Sequence, residues 1–213
     1  SALVSNDIST LTGLQAERGA GSIATIEDLA AWSSTDWDGF LVARAVTIPA
    51  GVPGADATEQ RQNYAAGLTQ AIEDAYPTPF LRHSLARDEA AGGAPANTDH
   101  VSTFLADNLD FDLVGSTLAV HLDQAADPWA NTLPADQDAA RANVAGLQRL
   151  YRLTPRMERY AAVKTLLDGN LGSAADIVAY TKEEFVDLYA PLLPVAPHDP
   201  AALAGKIWSN ATK

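Results

Sequence analysis

The chain is 213 residues long, 47% hydrophobic and 19% charged, a composition that folds around its own core and excludes disorder as the default. Its formal net charge of −13, with a pI near 4.5, repels bare nucleic acid and anionic lipid at long range, leaving solubility as the plain use of the charge. Cysteine is absent, which removes disulfides, thiolate metal sites and cysteine nucleophiles together, and no apolar run approaches the ~18 residues of a membrane helix. Ser1 leads without a basic-then-apolar leader and the single methionine is Met157, so the expectation is a piece of a longer polypeptide.

Apolar residues recur at helical spacing along most of the chain, and alternating strand patterns of useful length are missing. The predicted fold is all-α: one helical domain over 1–213, a multi-helix array with a duplicated capped helix–turn–helix unit at each end. A first helix ends at Glu17-Arg18 with Gly19 as its stop, and the first capped unit covers about 22–46. The valine-rich stretch 41–48 is read as the last turns of that unit's helix, and 49–53 as a connector. Asp56 with Glu59 opens a helix over 56–76, whose stripe Tyr64, Leu68, Ile72 and Tyr76 has a spacing of four. Thr78 before Pro79 caps a helix over 78–91 that stops at Gly92, and 92–95 is a second connector.

The stretch 127–134 reads as a loop pinned to the core by Trp129. A helix over 134–153 then carries Val144, Leu147, Leu150 and Tyr151. Thr154 before Pro155 predicts a helix over 155–168 with Met157, Tyr160, Val163 and Leu167 inside and Gly169 as its stop. The second capped unit covers about 170–190, and Asp199 before Pro200 opens a last helix.

The internal repeat is the most informative pattern. Thr25-Ile26-Glu27-Asp28-Leu29-Ala30-Ala31-Trp32-Ser33 lines up with Ser173-Ala174-Ala175-Asp176-Ile177-Val178-Ala179-Tyr180-Thr181 at a constant offset of 148. Asp36-Trp37 then falls on Glu184-Phe185, and Phe40 on Leu188. Each copy holds two capping boxes in tandem: Thr25 with Asp28 and Ser33 with Asp36, Ser173 with Asp176 and Thr181 with Glu184. Two caps so close together fix a sharp corner between a short helix and a longer one. The aromatic pairs Trp32/Trp37 and Tyr180/Phe185 are expected to close its inside.

No catalytic residue and no cofactor or metal follows from the motifs. Gly19-Ala20-Gly21-Ser22-Ile23-Ala24 matches a loose dinucleotide fingerprint but follows a helix where that motif needs a strand. Asp107, Asp110 and Asp112 lack the glycine turn and distal glutamate of a calcium loop, so a solvated loop with a local cap is the expectation. The histidines His83, His100, His121 and His198 have no metal-ligand spacing, and His121 with Asp123 is the one pair that merits inspection in three dimensions. Ser22, Ser116 and Ser173 follow glycine without a nucleophile elbow, and Glu183 and Glu184 are a cap and a solvated neighbour rather than an acid–base pair.

Arg141, Arg149, Arg152, Arg156, Arg159 and Lys164 place six of 14 basic residues in one region. Arg149/Arg152 and Arg156/Arg159 are i, i+3 pairs, and the functional reading is a docking patch for an acidic partner of a stand-alone binding module. Internal pairing with the chain's own carboxylates is favoured over it. The tandem-cap corner also resembles the helix-hairpin-helix DNA-binding unit. Trp32-Ser33-Ser34-Thr35 and Tyr180-Thr181-Lys182 lack that unit's phosphate-gripping glycines, so nucleic acid is not expected as a partner.

The run Leu147-Gln148-Arg149-Leu150-Tyr151-Arg152-Leu153-Thr154-Pro155, then Leu166-Leu167, Gly169 and Leu171-Gly172-Ser173-Ala174-Ala175-Asp176-Ile177, resembles the helical repeats in the A components of insecticidal toxin complexes (Tc toxins). In those repeats a leucine-Gln-Arg-aromatic-Arg-leucine helix leads into a leucine-rich helix, a glycine, a Ser-Ala cap, a short helix and a Thr/Ser-x-x-Glu-Phe helix. The match runs from Val144 to the C-terminus. Ile26-Glu27-Asp28-Leu29-Ala30, Asp36-Trp37, Tyr64-Ala65-Ala66-Gly67-Leu68, Tyr76-Pro77-Thr78 and Asp110-Phe111-Asp112-Leu113 are similar, more weakly, to other stretches of the same proteins. The resemblance implies a piece of the helical shell of a large, secreted or surface-displayed oligomeric subunit. Its partners would be other domains or subunits of that parent. The shell supports a channel and is not itself catalytic. Nothing in the chain resembles the channel, linker or receptor-binding domains, so direct membrane insertion is not expected of it.

Overall fold

The computed structural model describes residues 8–156, 158–194 and 199–213, so the expectations placed on Met157 and His198 lie outside the described residues. Every regular element among the described residues is a helix, and the fold is all-α. In chain order these are α1 (Ile8–Gly19), a 3₁₀ helix (Ile26–Ala31), α2 (Ser34–Ala43), α3 (Ala57–Ala75), α4 (Pro77–Ala90), α5 (Val101–Asp107) and α6 (Leu118–Gln124). They continue with α7 (Gln137–Leu153), α8 (Arg159–Asp168), α9 (Ala174–Val178), α10 (Lys182–Tyr189), a 3₁₀ turn (Ala190–Leu192) and α11 (Pro200–Ala211). The chain divides into two compact units within α4: Ser1–Phe80 and Leu81–Lys213.

In the first unit, the core gathers Ile23, Leu29, Trp37, Phe40, Leu41, Val46, Val52, Tyr64, Ala65 and Leu68. Asp56 starts α3 as the sequence predicts, its carboxylate accepting from Thr58 N and Glu59 N at 2.8 and 2.9 Å. Three polar ties join the helices: the Thr10 and Tyr64 hydroxyls at 3.0 Å, Arg44 with Glu17 at 2.8 Å, and Arg61 with Asp38 at 2.6 Å. Gly13 lets α1 lie close against α2, because a Cβ there would stand 2.8 Å from Phe40 Cζ. The stretch 41–48 departs from expectation. α2 ends at Ala43, Ala45 turns the chain with φ 47°, and Val46 then leaves the helix and is buried. Val46 N donates to Leu41 O at 2.9 Å, which closes the helix end while the valine goes to the core.

The second unit has its own core, in which α7 supplies Ala140, Val144, Leu147, Leu150 and Tyr151, each at most 1% exposed. A fully buried Leu contributes about 1.5–3 kcal/mol relative to an exposed one, so this stripe is a principal stabilising element of the unit. Trp129 is buried against Phe104 at 5.0 Å between ring centroids, as its pinning role predicts. α11 closes the unit through Trp208, whose indole N–H donates to Tyr180 O at 2.9 Å, and Asn210, whose amide donates to Leu153 O at 2.8 Å.

Several predicted boundaries are corrected. Thr154 does not open a helix: it ends α7, its hydroxyl donating back to Leu150 O at 2.8 Å, and α8 begins only at Arg159. The Thr-Pro signal is local, and the hydroxyl found a nearer carbonyl acceptor. Likewise α4 starts at Pro77, with Thr78 inside its first turn, and α7 starts at Gln137 rather than 134. Gly19 and Gly169 do stand where their helices stop, α1 ending at Gly19 and Gly169 capping α8, while the left-handed residues that follow are Gly21 (φ 78°) and Asn170 (φ 57°); Gly92 (φ 72°) is itself left-handed. Gly169 also makes room for Tyr189, whose ring would lie 2.7 Å from a Cβ at that position. The helices α5 and α6 were not anticipated.

Candidate functional site

The two capped corners are closed by short-range hydrogen bonds between side chain and backbone. In the first, Ser33 N donates to Asp36 Oδ2 at 2.7 Å, the Ser33 hydroxyl donates to the same oxygen at 2.6 Å, and Asp36 N donates to Ser33 Oγ at 3.2 Å. In the second, Thr181 N and its hydroxyl both donate to Glu184 Oε2 at 2.9 Å, and Glu184 N donates to Thr181 Oγ1 at 3.3 Å. The same three bonds recur 148 residues apart.

The upstream caps match in a modified form. Asp28 Oδ2 accepts from Ala24 N at 2.7 Å and from Thr25 N at 2.8 Å. Asp176 Oδ2 accepts from Gly172 N at 3.0 Å and from the Ser173 hydroxyl at 2.8 Å, while Asp176 N donates to Ser173 Oγ at 3.3 Å. Ala24 and Gly172 are again 148 apart. The reciprocal box expected of Ser173 and Asp176 is therefore displaced by one residue, because the carboxylate reaches Gly172 N. The helix it opens differs too, 3₁₀ in the first copy and α in the second.

Burial follows the repeat at most apolar positions, the exceptions being Ala30 (buried) against Val178 (exposed) and Phe40 against Leu188. Ile23/Leu171, Leu29/Ile177, Trp37/Phe185 and Leu41/Tyr189 are all buried pairs. Trp32 meets Trp37 at 4.9 Å and Tyr180 meets Phe185 at 6.5 Å, so the aromatic closure is present in both. Phe40 is 6% exposed, whereas Leu188 is 55% exposed, so the predicted match at that position holds in sequence and fails in packing.

The acids of these corners act on backbone. The Thr181 backbone N–H, and then its hydroxyl, hold the Glu184 carboxyl below the ordinary carboxylate range. The Arg44 side chain, followed by Ser22, does the same for Glu17. Burial, then the hydrogen bond to Tyr180, raises the Tyr189 hydroxyl.

The arginine cluster is divided. Arg149, Arg152 and Arg156 are exposed, and Arg159 is half-buried. Arg152 donates to the Ser116 carbonyl. Arg159 donates to Thr154 O at 3.1 Å and stands 4.6 Å from the centroid of the Tyr151 ring, a cation–π contact. Lys164 donates to the Gly93 carbonyl and pairs with Asp88 at 3.5 Å and Asp168 at 3.8 Å.

His121 does not partner Asp123. Its Nε2 lies 2.9 Å from Asn108 Oδ1, and the Asn108 amide donates to Phe104 O at 2.8 Å and Pro128 O at 2.9 Å. Asp107 accepts from the Asn131 backbone and side chain, and Asp112 from Val114 N. No group of three or more metal-ligating side chains converges among the described residues. The polar residues that sequence reasoning missed are Asn108 and Gln148, both buried. The Gln148 amide donates to Leu113 O and Ser116 O, each at 2.9 Å, and so fixes the loop before α6. Only a glutamine inside the apolar stripe of α7 hinted at that role.

No family model, no curated protein and no solved structure matches the chain. What fold and site define is therefore a class: an all-helical protein of two compact units, each carrying one copy of a tandem-capped corner.

Proposed function

We propose that the chain is a non-catalytic structural and interaction module of a large toxin-complex A-component-like protein, part of its helical shell. The observation that carries this reading is the pair of corners, alike in their hydrogen bonds, 148 residues apart, one in each compact unit. Duplicated helical units that repeat their own bonds are the material of extended helical scaffolds, which gain stability by stacking like on like. The candidate chemical groups are committed to architecture: Asp28, Asp36, Asp176 and Glu184 to backbone caps, and Arg152 and Arg159 to carbonyls of their own unit. Among the described residues no helix is long and apolar enough to cross a membrane. On this reading the partners are other domains or subunits of the parent, and secretion or surface display follows from the toxin resemblance alone.

The test is to read the coding sequence through both flanks of this segment. A long coiled-coil channel region downstream is the expected result. Flanks that encode an enzyme domain, or a reading frame with no channel region at all, would overturn the proposal.

A further inference from the structure

The two corners are alike in their bonds and unlike in what lies over them. In the second unit Val163, Leu167, Leu171 and Ile177 are each at most 3% exposed, and α7 packs against both α8 and α9. The closest approach is at Gly146, where a Cβ would stand 3.6 Å from the Gly172 carbonyl oxygen. The helix α7 therefore lies directly over the start of the corner.

The matching face of the first unit is an open groove of about 220 Å³, whose lining includes Leu11, Leu14, Arg18, Ile23, Ala24, Ile26 and Leu29. Ile23, Ala24 and Leu29 correspond to Leu171, Gly172 and Ile177 at the offset of 148. The preceding helix ends correspond at 149. Ser22 N donates to Glu17 O as Leu171 N does to Leu166 O, and left-handed Gly21 matches left-handed Asn170. One extra residue before Ala24 absorbs the difference, so Leu14 matches Val163. In the groove Leu11 is 45% and Ile26 63% exposed.

We propose that this groove is the seat of an amphipathic helix of the α7 type, supplied by a partner polypeptide. The established α7 interface defines the occupant: a leucine stripe with glycine or alanine at its middle, where the backbone must pass close to Ala24. The one charged side chain lining the groove is Arg18, at the position matching the buried Leu167 of the second unit, so the occupant meets it with an uncharged or acidic side chain rather than an arginine. This chain's own α7 is buried in its own core and is not the occupant. The inference rests on the duplication and stands or falls separately from the toxin reading.

The test uses the full chain in two formats. In one, methyl-labelled protein is titrated with a synthetic peptide of the Gln137–Leu153 sequence. In the other, that sequence is fused ahead of Ser1 through a flexible glycine–serine linker, which holds it at roughly millimolar effective concentration and offsets the weak helicity of a free peptide. Saturable shifts at the methyls of Leu11, Leu14, Ile26 and Leu29 are expected, with about tenfold slower amide exchange over 24–29 in the fusion. Both effects should vanish when the added helix carries Leu147→Asp and Leu150→Asp. They should vanish too when the chain carries Leu11→Glu and Ile26→Glu, exposed positions where the fold tolerates charge. A fusion that leaves exchange over 24–29 unchanged overturns the proposal. So does shifting of the same methyls with protein concentration alone, which would give the groove to a second copy of the chain.

Discussion

Trp37 and Phe185 hold the same place in two copies of one corner, and each is 1% exposed or less. They differ by one polar atom. The indole N–H of Trp37 is buried without a hydrogen-bond partner among the described residues, a defect that the phenyl ring of Phe185 does not have.

The first prediction follows from that difference. Trp37→Phe removes an unsatisfied donor, relieving about 1–3 kcal/mol, while the smaller ring gives up packing of similar size. Near-neutral stability is therefore expected, within about 1 kcal/mol by chemical denaturation. The reverse change, Phe185→Trp, overpacks a site fitted to phenylalanine and buries a new N–H, and is expected to cost about 2 kcal/mol or more. Equal losses from the two substitutions would mean that the corners do not share one packing solution.

A second prediction concerns the cap at Glu184. Its carboxyl is held low first by the Thr181 backbone N–H and only then by the hydroxyl. A carboxylate whose folded pKa is depressed adds stability above its ordinary value, here 4.5, and that stability is lost as pH falls through the folded pKa. NMR titration of the Glu184 side chain should therefore give a pKa below 4.5, and Thr181→Ala should leave most of the depression in place. Full return to the ordinary value in Thr181→Ala would transfer the effect to the hydroxyl.

What was legible in the sequence was what is local. Ser33 with Asp36 and Thr181 with Glu184 are bonds closed within four residues, so residue type and spacing were enough to read them. The same locality misled at Thr154-Pro155, where the hydroxyl had a backward acceptor in Leu150 O that the cap signal does not reveal. Phe40 and Leu188 mark the other limit. They align without a gap, but the burial of Phe40 depends on Gly13 admitting α1 against it, a contact 27 residues away in the chain. The groove at Leu11 and Ile26 was illegible for the same reason, since exposure of a leucine or isoleucine is set by what packs over it.

Gln148 supports a third prediction. It is a buried amide that satisfies the Leu113 and Ser116 carbonyls from inside the apolar face of α7. Gln148→Leu keeps the volume and removes both donors, leaving the Leu113 carbonyl without its Gln148 donor. A loss of about 1–3 kcal/mol is expected, with faster amide exchange confined first to the loop before α6. A variant as stable as the parent would show that water takes over both bonds.

The last prediction concerns alkaline pH. The Tyr160 hydroxyl donates to Asp88 Oδ2 at 2.7 Å, and burial first, then that carboxylate, raises its pKa well above the ordinary value of 10.0. A group whose folded pKa is raised contributes stability that is fully present below the unfolded pKa and is lost as pH rises through the folded value. Between about pH 10 and 12 the unfolded chain releases this proton while the folded chain keeps it, so stability should fall with rising pH. Tyr160→Phe cannot ionise and should remove that part of the slope, which is read as the difference between parent and variant so that other tyrosines and lysines cancel. At neutral pH the variant should be weaker by about 1 kcal/mol for the lost hydrogen bond, with Lys164 still neutralising Asp88. Parallel stability curves for the two proteins above pH 10 would show that Tyr160 ionises as readily in the folded chain as in the unfolded one.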